Sequence, residues 1–152
     1  MNYILKVEWD DGEQSIEIGA SKEEQAVITD AEVMLDTVDD TTRNKSKAML
    51  AKINVKGQII GKKIPKLKDS LRDIFLWATD FSVDTTYRKV TLTVKEDEAT
   101  VLRTYEIENM FVRDYKETYR NSDEKGGQGD KGGMFELDLT QQENDLDKIL
   151  VL

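Results

Sequence analysis

Apolar positions recur along most of this chain at a period of two, the spacing of strands with one buried face. Residues 3–9 place Tyr3, Leu5, Val7 and Trp9 on one side and Lys6 and Glu8 on the other. Asp10-Asp11-Gly12 signals a turn, and residues 14–18 supply the second arm of a hairpin. Val27, Thr29, Ala31, Val33 and Leu35 alternate again and predict a strand over residues 26–38, although the Ala, Glu and Met of this stretch leave a helix open. Met49, Ala51, Ile53 and Val55 then alternate with Lys52, Asn54 and Lys56, and Gly57 predicts a bend or bulge in that strand.

One segment changes to helical spacing. Leu67, Leu71, Ile74, Phe75 and Ala78 form a stripe, with Lys68, Asp69, Arg72, Asp73 and Asp80 on the other side and Trp77 and Phe81 near one edge. Pro65, the only proline, suits a first helical turn because its missing donor has no partner there anyway. Burying four large stripe residues contributes on the order of 6–12 kcal/mol before entropy is subtracted, so the helix is expected to cover a β structure.

Residues 87–119 organise the remainder. Val90, Leu92 and Val94 lead to an acidic hairpin tip at Glu96-Asp97-Glu98, and Val101, Arg103, Tyr105 and Ile107 form the return. Asn109 marks a corner, after which Phe111, Arg113 and Tyr115 alternate with Met110, Val112 and Asp114. Phe135, Leu137 and Leu139 read as a last strand. Residues 36–47, dense in Asp, Thr, Asn and Ser, form an exposed loop or the tip of a long hairpin, and residues 121–133 a flexible glycine-rich loop. The C-terminal tail, residues 143–152, ends in Ile149-Leu150-Val151-Leu152, an apolar run expected to dock on this chain or on a neighbour. The fold class expected is mainly β (α+β), one domain over residues 1–152. It is a small antiparallel β-barrel or two packed sheets, with one flanking α-helix.

Composition narrows the function. The chain has 152 residues and a net charge of −9, with 38% hydrophobic and 35% charged residues. Its mean hydropathy is −0.58. That size supports one real core, and the acidic balance disfavours recognition of nucleic acid through phosphates. Arg103, Arg113 and Arg120 stand among Glu and Asp, so a basic groove with interleaved aromatics is missing. No basic segment followed by an apolar run opens the chain, and no apolar run reaches the roughly 20 residues of a membrane span, which points to synthesis in the cytoplasm.

Candidate chemistry is sparse. Histidine and cysteine are both absent, which removes the usual general base, the usual thiolate nucleophile and the commonest metal ligands. Ser46 between Lys45 and Lys47 lies in a polar loop and makes no dyad by sequence adjacency alone. Asp36, Asp39 and Asp40 lack the central glycine and terminal glutamate of a calcium loop. The glycines of residues 121–133 lack the GK[ST] signature and the strand-to-helix setting of a phosphate cradle. Tyr105, Tyr115 and Tyr119 are better placed to complete a core edge than to stack a ligand. No catalytic, cofactor-binding or metal site is expected, and no cofactor.

From about Leu71 to Gln141 the order of elements resembles the tube proteins of contractile injection systems. These are the haemolysin-coregulated proteins of type VI secretion and the tail-tube proteins of contractile phages and tailocins. The resemblance is carried by the apolar helix ending in Trp77, by Tyr87-Arg88-Lys89-Val90 opening a hairpin, and by Arg103-Thr104-Tyr105 on its return. Phe111-Val112-Arg113-Asp114-Tyr115-Lys116-Glu117 follows, then a variable loop and a closing strand from Phe135 to Gln141. Ile53-Asn54-Val55-Lys56-Gly57 fits the opening half. The resemblance implies hexameric rings that stack into a hollow tube, with sheath, baseplate or hub proteins as partners, in a phage tail-like particle that is released or injected. It makes Asp36, Asp39, Asp40, Arg43 and Lys45 candidate ring-to-ring contacts, and Arg113, Tyr115, Ile149, Leu150 and Leu152 candidate subunit contacts. The hairpin over residues 3–18 and the glycine-rich loop stand apart from the pattern and leave room for a tube-initiating ring or adaptor. A monomeric β-barrel binding module is the competing class.

Overall fold

The computed structural model describes residues 1–9, 12–37, 49–60, 64–121, 132–143 and 145–152. Its strands are β1 (Asn2–Glu8), β2 (Ser15–Ile18), β3 (Ile28–Thr37), β4 (Met49–Ile59), β5 (Arg88–Lys95), β6 (Val101–Arg120), β7 (Gly132–Gln141) and β8 (Ile149–Val151). The helix α1 (Pro65–Ala78) joins β4 to β5. All ladders are antiparallel, in the order β2-β1-β5-β6-β7-β4-β3, with β8 added to β6.

The long strand β6 makes one sheet out of what would otherwise be two. Its first half pairs with β5 from Val101↔Lys95 to Met110↔Arg88, and its second half pairs on the other edge with β7 from Met110↔Gln141 to Arg120↔Gly132. Between Arg88 and Val90 the register slips by one residue, and Asn109 there takes φ 58°. Asparagine tolerates this left-handed conformation better than other side-chain-bearing residues, so the corner expected at Asn109 is a bulge that bends the strand. The bend is fastened from outside. Asn109 Nδ2 donates to Asp145 at 3.1 Å, Gln142 N donates to Asn109 O at 2.8 Å, and Gln141 Nε2 donates to the Glu108 and Asp145 carbonyls at 3.1 and 2.7 Å.

Both halves of the sheet face one core. Leu5, Val7, Ile16, Ile18, Val90 and Leu92 from one half share a cluster with Ile53, Val55, Leu137 and Leu139 from the other. α1 closes it with Leu67, Leu71, Ile74 and Trp77. The barrel alternative does not hold: the sheet is not closed. Its end strands are the four-residue β2 and the ten-residue β3, and no ladder joins them.

Three local expectations are refined. The stretch left open between helix and strand is strand β3, with its bulge between Ile28 and Asp30. The bulge shifts the alternation, so Ile28 is buried and Thr29 exposed. Gly57, directly opposite Ile28, does not interrupt β4. A Cβ there would lie 2.5 Å from the Phe135 ring and 2.6 Å from the Val27 carbonyl oxygen, so glycine is required by close approach rather than by a bend. On α1, Phe75 is half exposed and Trp77 fully buried, because the stripe is centred between Leu67 and Ile74 rather than toward Phe75.

Candidate functional site

The half-sheet β6-β7-β4-β3 turns its second face away from the core, and the alternation of each strand decides what stands there. β3 presents Asp30, Glu32, Met34 and Asp36; β4 presents Lys52, Asn54 and Lys56; β7 presents Met134, Glu136 and Asp138; β6 presents Asp114, Lys116, Thr118 and Arg120. Charge therefore alternates across the strands as acidic, basic, acidic and then mainly basic. Lys52 Nζ meets Asp36 at 2.8 Å and Lys56 Nζ meets Glu136 at 3.6 Å. Cross-strand pairs at a sheet surface contribute only about 0.2–1 kcal/mol each, so their larger effect is to penalise a wrong register.

This half-sheet ends in two unpaired edges among the described residues. One is the outer edge of β3. The other is the edge of β6 opposite β7 over residues 111–120, since β5 reaches only Met110. The first edge carries the acidic column and the second carries Lys116 and Arg120. Bare strand edges invite pairing with another chain.

α1 and the loop after it form a second feature. The Arg88 guanidinium lies 3.7 Å from the Trp9 ring centre and 5.1 Å from that of Trp77. Its Nε donates to Thr85 O at 3.0 Å, its Nη2 stands 3.6 Å from Asp80, and its Nη1 is buried without a hydrogen-bond partner. Burial lowers its pKa to about 10, against the opposing pull of Asp80 and Asp73. Asp80 accepts from Thr85 Oγ1 at 2.6 Å and from Ser82 N at 2.9 Å. Those donors, with Arg88, hold its carboxyl below the ordinary range.

Beside α1, Tyr115 donates to Glu117 Oε1 at 2.9 Å and Tyr119 donates to Oε2. Burial first, and the Glu117 carboxylate next, push the Tyr115 hydroxyl up; for Tyr119 the Glu117 hydrogen bond leads. The Phe75 ring meets Tyr115 edge-on at 6.3 Å. Together with α1 these residues border a groove of about 480 Å³ lined by Ile59, Ile60, Leu71, Phe75, Glu117 and Tyr119, with Lys68 and Arg72 on its rim.

The residues singled out from sequence do not converge on one pocket. Asp39, Asp40, Arg43 and Lys45 lie outside the described residues, as does most of the glycine-rich loop. Asp36 sits near the end of β3, paired with Lys52. Arg113 is exposed in a second bulge of β6, between Val112 and Asp114, whereas Tyr115 packs against the core. The tail docks on its own chain: β8 pairs Ile149, Leu150 and Val151 with Ile107, Glu106 and Tyr105. Ile149 packs on the core, and Leu150 and Leu152 stay exposed. The charge columns and the Arg88 clamp went unrecognised in sequence, although the alternation of Lys and Glu on the strands carries the columns. Among the described residues no cluster of His, Cys, Asp and Glu suits a metal ion, and no helix is long and apolar enough to cross a membrane.

No protein-family model matches this sequence, and no curated protein matches it. Solved structures do. The Hcp1 protein of the E. coli EAEC 042 pathovar superposes with a TM-score of 0.60 at 10% identity, over 100% of this chain and 98% of that one. Hcp1 from Flavobacterium johnsoniae gives 0.56 at 13% identity, over 99% and 94%. A chain of the PVC extracellular contractile injection system, in its extended sheath-tube complex, gives 0.53 at 13% identity, over 99% and 88%. The fold is thus that of the Hcp and tube proteins. The match to the E. coli protein spans this whole chain, so the hairpin over residues 3–18 lies within the shared fold instead of preceding it.

Proposed function

We propose that this chain is a structural, non-enzymatic subunit of the inner tube of a phage tail-like contractile injection system. Copies associate head to tail through the edges of β3 and β6, close as rings of six, and stack into a conduit. Sheath and baseplate proteins are its partners in the particle.

The observation that carries the reading is the pair of open edges on one half-sheet. The β3 edge is acidic and the β6 edge mainly basic, so joining β3 of one copy to β6 of the next continues the alternation of acidic and basic columns, with Asp114 the exception. A heterologous contact of this kind closes into a ring when its rotation allows. The whole-chain likeness to Hcp proteins supports the same reading. In such a ring Arg113 stands on the open edge of β6, with Tyr115 supporting it from the core side. Asp36 leads into the loop that approaches the next ring, with Asp39, Asp40, Arg43 and Lys45. Leu150 and Leu152, with Ile149 anchoring them, offer apolar contact to a neighbour.

Size-exclusion chromatography with light scattering, followed by negative-stain microscopy, tests this. Rings of six are expected at high protein concentration. A stable monomer with no rings would replace this reading with that of a monomeric binding module.

A further inference from the structure

The loop joining α1 to β5, residues 79–87, holds two bare apolar side chains on a rigid mount. Phe81 is 91% exposed and Val83 79%. Exposed apolar residues on a mobile loop would fold back, yet this loop is fixed at every turn. Thr79 N and Oγ1 donate to Leu76 O, Asp80 caps Ser82 N and Thr85 Oγ1, and Thr86 N donates to Ser82 O. Trp77 Nε1 donates to Thr86 O at 2.7 Å, and Arg88 Nε to Thr85 O. The loop has little freedom left to lose on binding, which favours a role as a preformed contact.

A matching recess exists on the same chain. The groove beside α1 offers Ile59, Ile60, Leu71, Phe75 and Tyr119 as apolar walls. Its one acidic wall residue, Glu117, is occupied by two tyrosine hydroxyls. The groove runs along α1 from Pro65 to Phe75, and the knob follows Ala78 at the end of the same helix. Charge agrees: exposed Asp84 beside the knob would meet Lys68 and Arg72 on the rim.

We infer that the Phe81–Val83 knob seats in the α1 groove of a second copy of this chain, stacked head to tail. The inference rests on the stacked-ring reading above and supplies a contact between successive rings. Knob and groove are different surfaces, so the contact is heterologous and repeats from copy to copy wherever its rotation does not close it.

The chain has no cysteine, which gives cross-linking a silent background. Phe81→Cys, Tyr119→Cys and the double variant all change exposed positions. Under mild oxidation at high concentration the double variant is expected to give a reducible ladder of dimer, trimer and longer chains, and each single variant to remain uncross-linked. In the double variant, Asp84→Lys is expected to reduce the ladder severalfold, and Lys68→Glu with Arg72→Glu to restore it. No ladder from the folded double variant overturns the inference. Microscopy of the same sample reads rings separately: rings without a ladder leave the ring reading standing, whereas absence of both removes both.

Discussion

Arg88 lies over Trp9, its guanidinium carbon 3.7 Å from the ring centre, and this contact joins β5 to the end of β1. The charge is kept in place by aromatic faces, one carboxylate and one carbonyl, at the cost of a buried Nη1 without a partner. Burial opposes the charge, as the lowered pKa shows. Replacing the charge by an apolar side chain of similar length should therefore cost less than moving it onto a more strongly hydrated ammonium. Arg88→Met is expected within about 1 kcal/mol of the parent chain and Arg88→Lys about 2–3 kcal/mol below it. Urea unfolding gives the order, and Lys above Met would show that the charge itself is the stabilising element.

Gly57 faces a different constraint, the Phe135 ring on one side and the Val27 carbonyl on the other. Gly57→Ala is expected to destabilise by about 1–3 kcal/mol through overpacking. Shortening the ring with Phe135→Leu should recover only part of that in a double-mutant cycle, because the carbonyl oxygen at 2.6 Å remains. Full recovery in the cycle would leave the carbonyl without a role.

Tyr115 and Tyr119 share one acceptor, Glu117, and both hydroxyls are held above their ordinary value of 10.0. A group whose folded pKa is raised adds stability that is complete below the unfolded value and lost as pH rises through the folded one. The stability curve should thus fall above about pH 10. Glu117→Gln should move tyrosinate formation in the folded chain to lower pH for both hydroxyls, and for Tyr119 it removes the leading cause. Ultraviolet difference titration measures this, and an unchanged titration would mean that burial alone sets both hydroxyls.

Lys116 and Arg120 are exposed on β6, and Asp30 and Glu32 on β3. Reversing the first pair to Glu should leave the unfolding curve within about 0.5 kcal/mol, as surface changes usually do, while abolishing rings. Reversing Asp30 and Glu32 to Lys in the same chain restores the alternation at the junction and should restore rings. Light scattering on the three chains decides it; rings from the first variant alone would show that the columns do not select the contact.

Much of the fold was legible because its strands have one wet face. Leu5 and Val7, Ile53 and Val55, and Leu137 and Leu139 announce their side by simple alternation and are all buried. The corner at Asn109 was legible for a related reason, since a lone Asn between alternating runs marks a place where the backbone can turn left-handed. Sheet closure was not. Whether β2 meets β3 depends on the accumulated bend of the strands between them, and no single residue records that. Gly57 misled because close approach by a ring from β7 is a long-range fact. The assembly surfaces were half visible: the charges stand in the sequence, but their grouping into columns requires the pairing of β3, β4, β7 and β6, strands far apart along the chain.

The length of β6 has a mechanical consequence. A strand of twenty residues that changes partners at Asn109 is one covalent member running through both halves of the molecule. Ladder hydrogen bonds lie across the strand direction, so tension along β6 loads its bonds to β5, β7 and β8 together in shear, rather than one by one as in peeling. A force transmitted from one end of the subunit to the other meets a continuous tie, with its single bend braced by Gln141, Gln142 and Asp145. Such a body transmits a thrust without coming apart at the junction of its two halves.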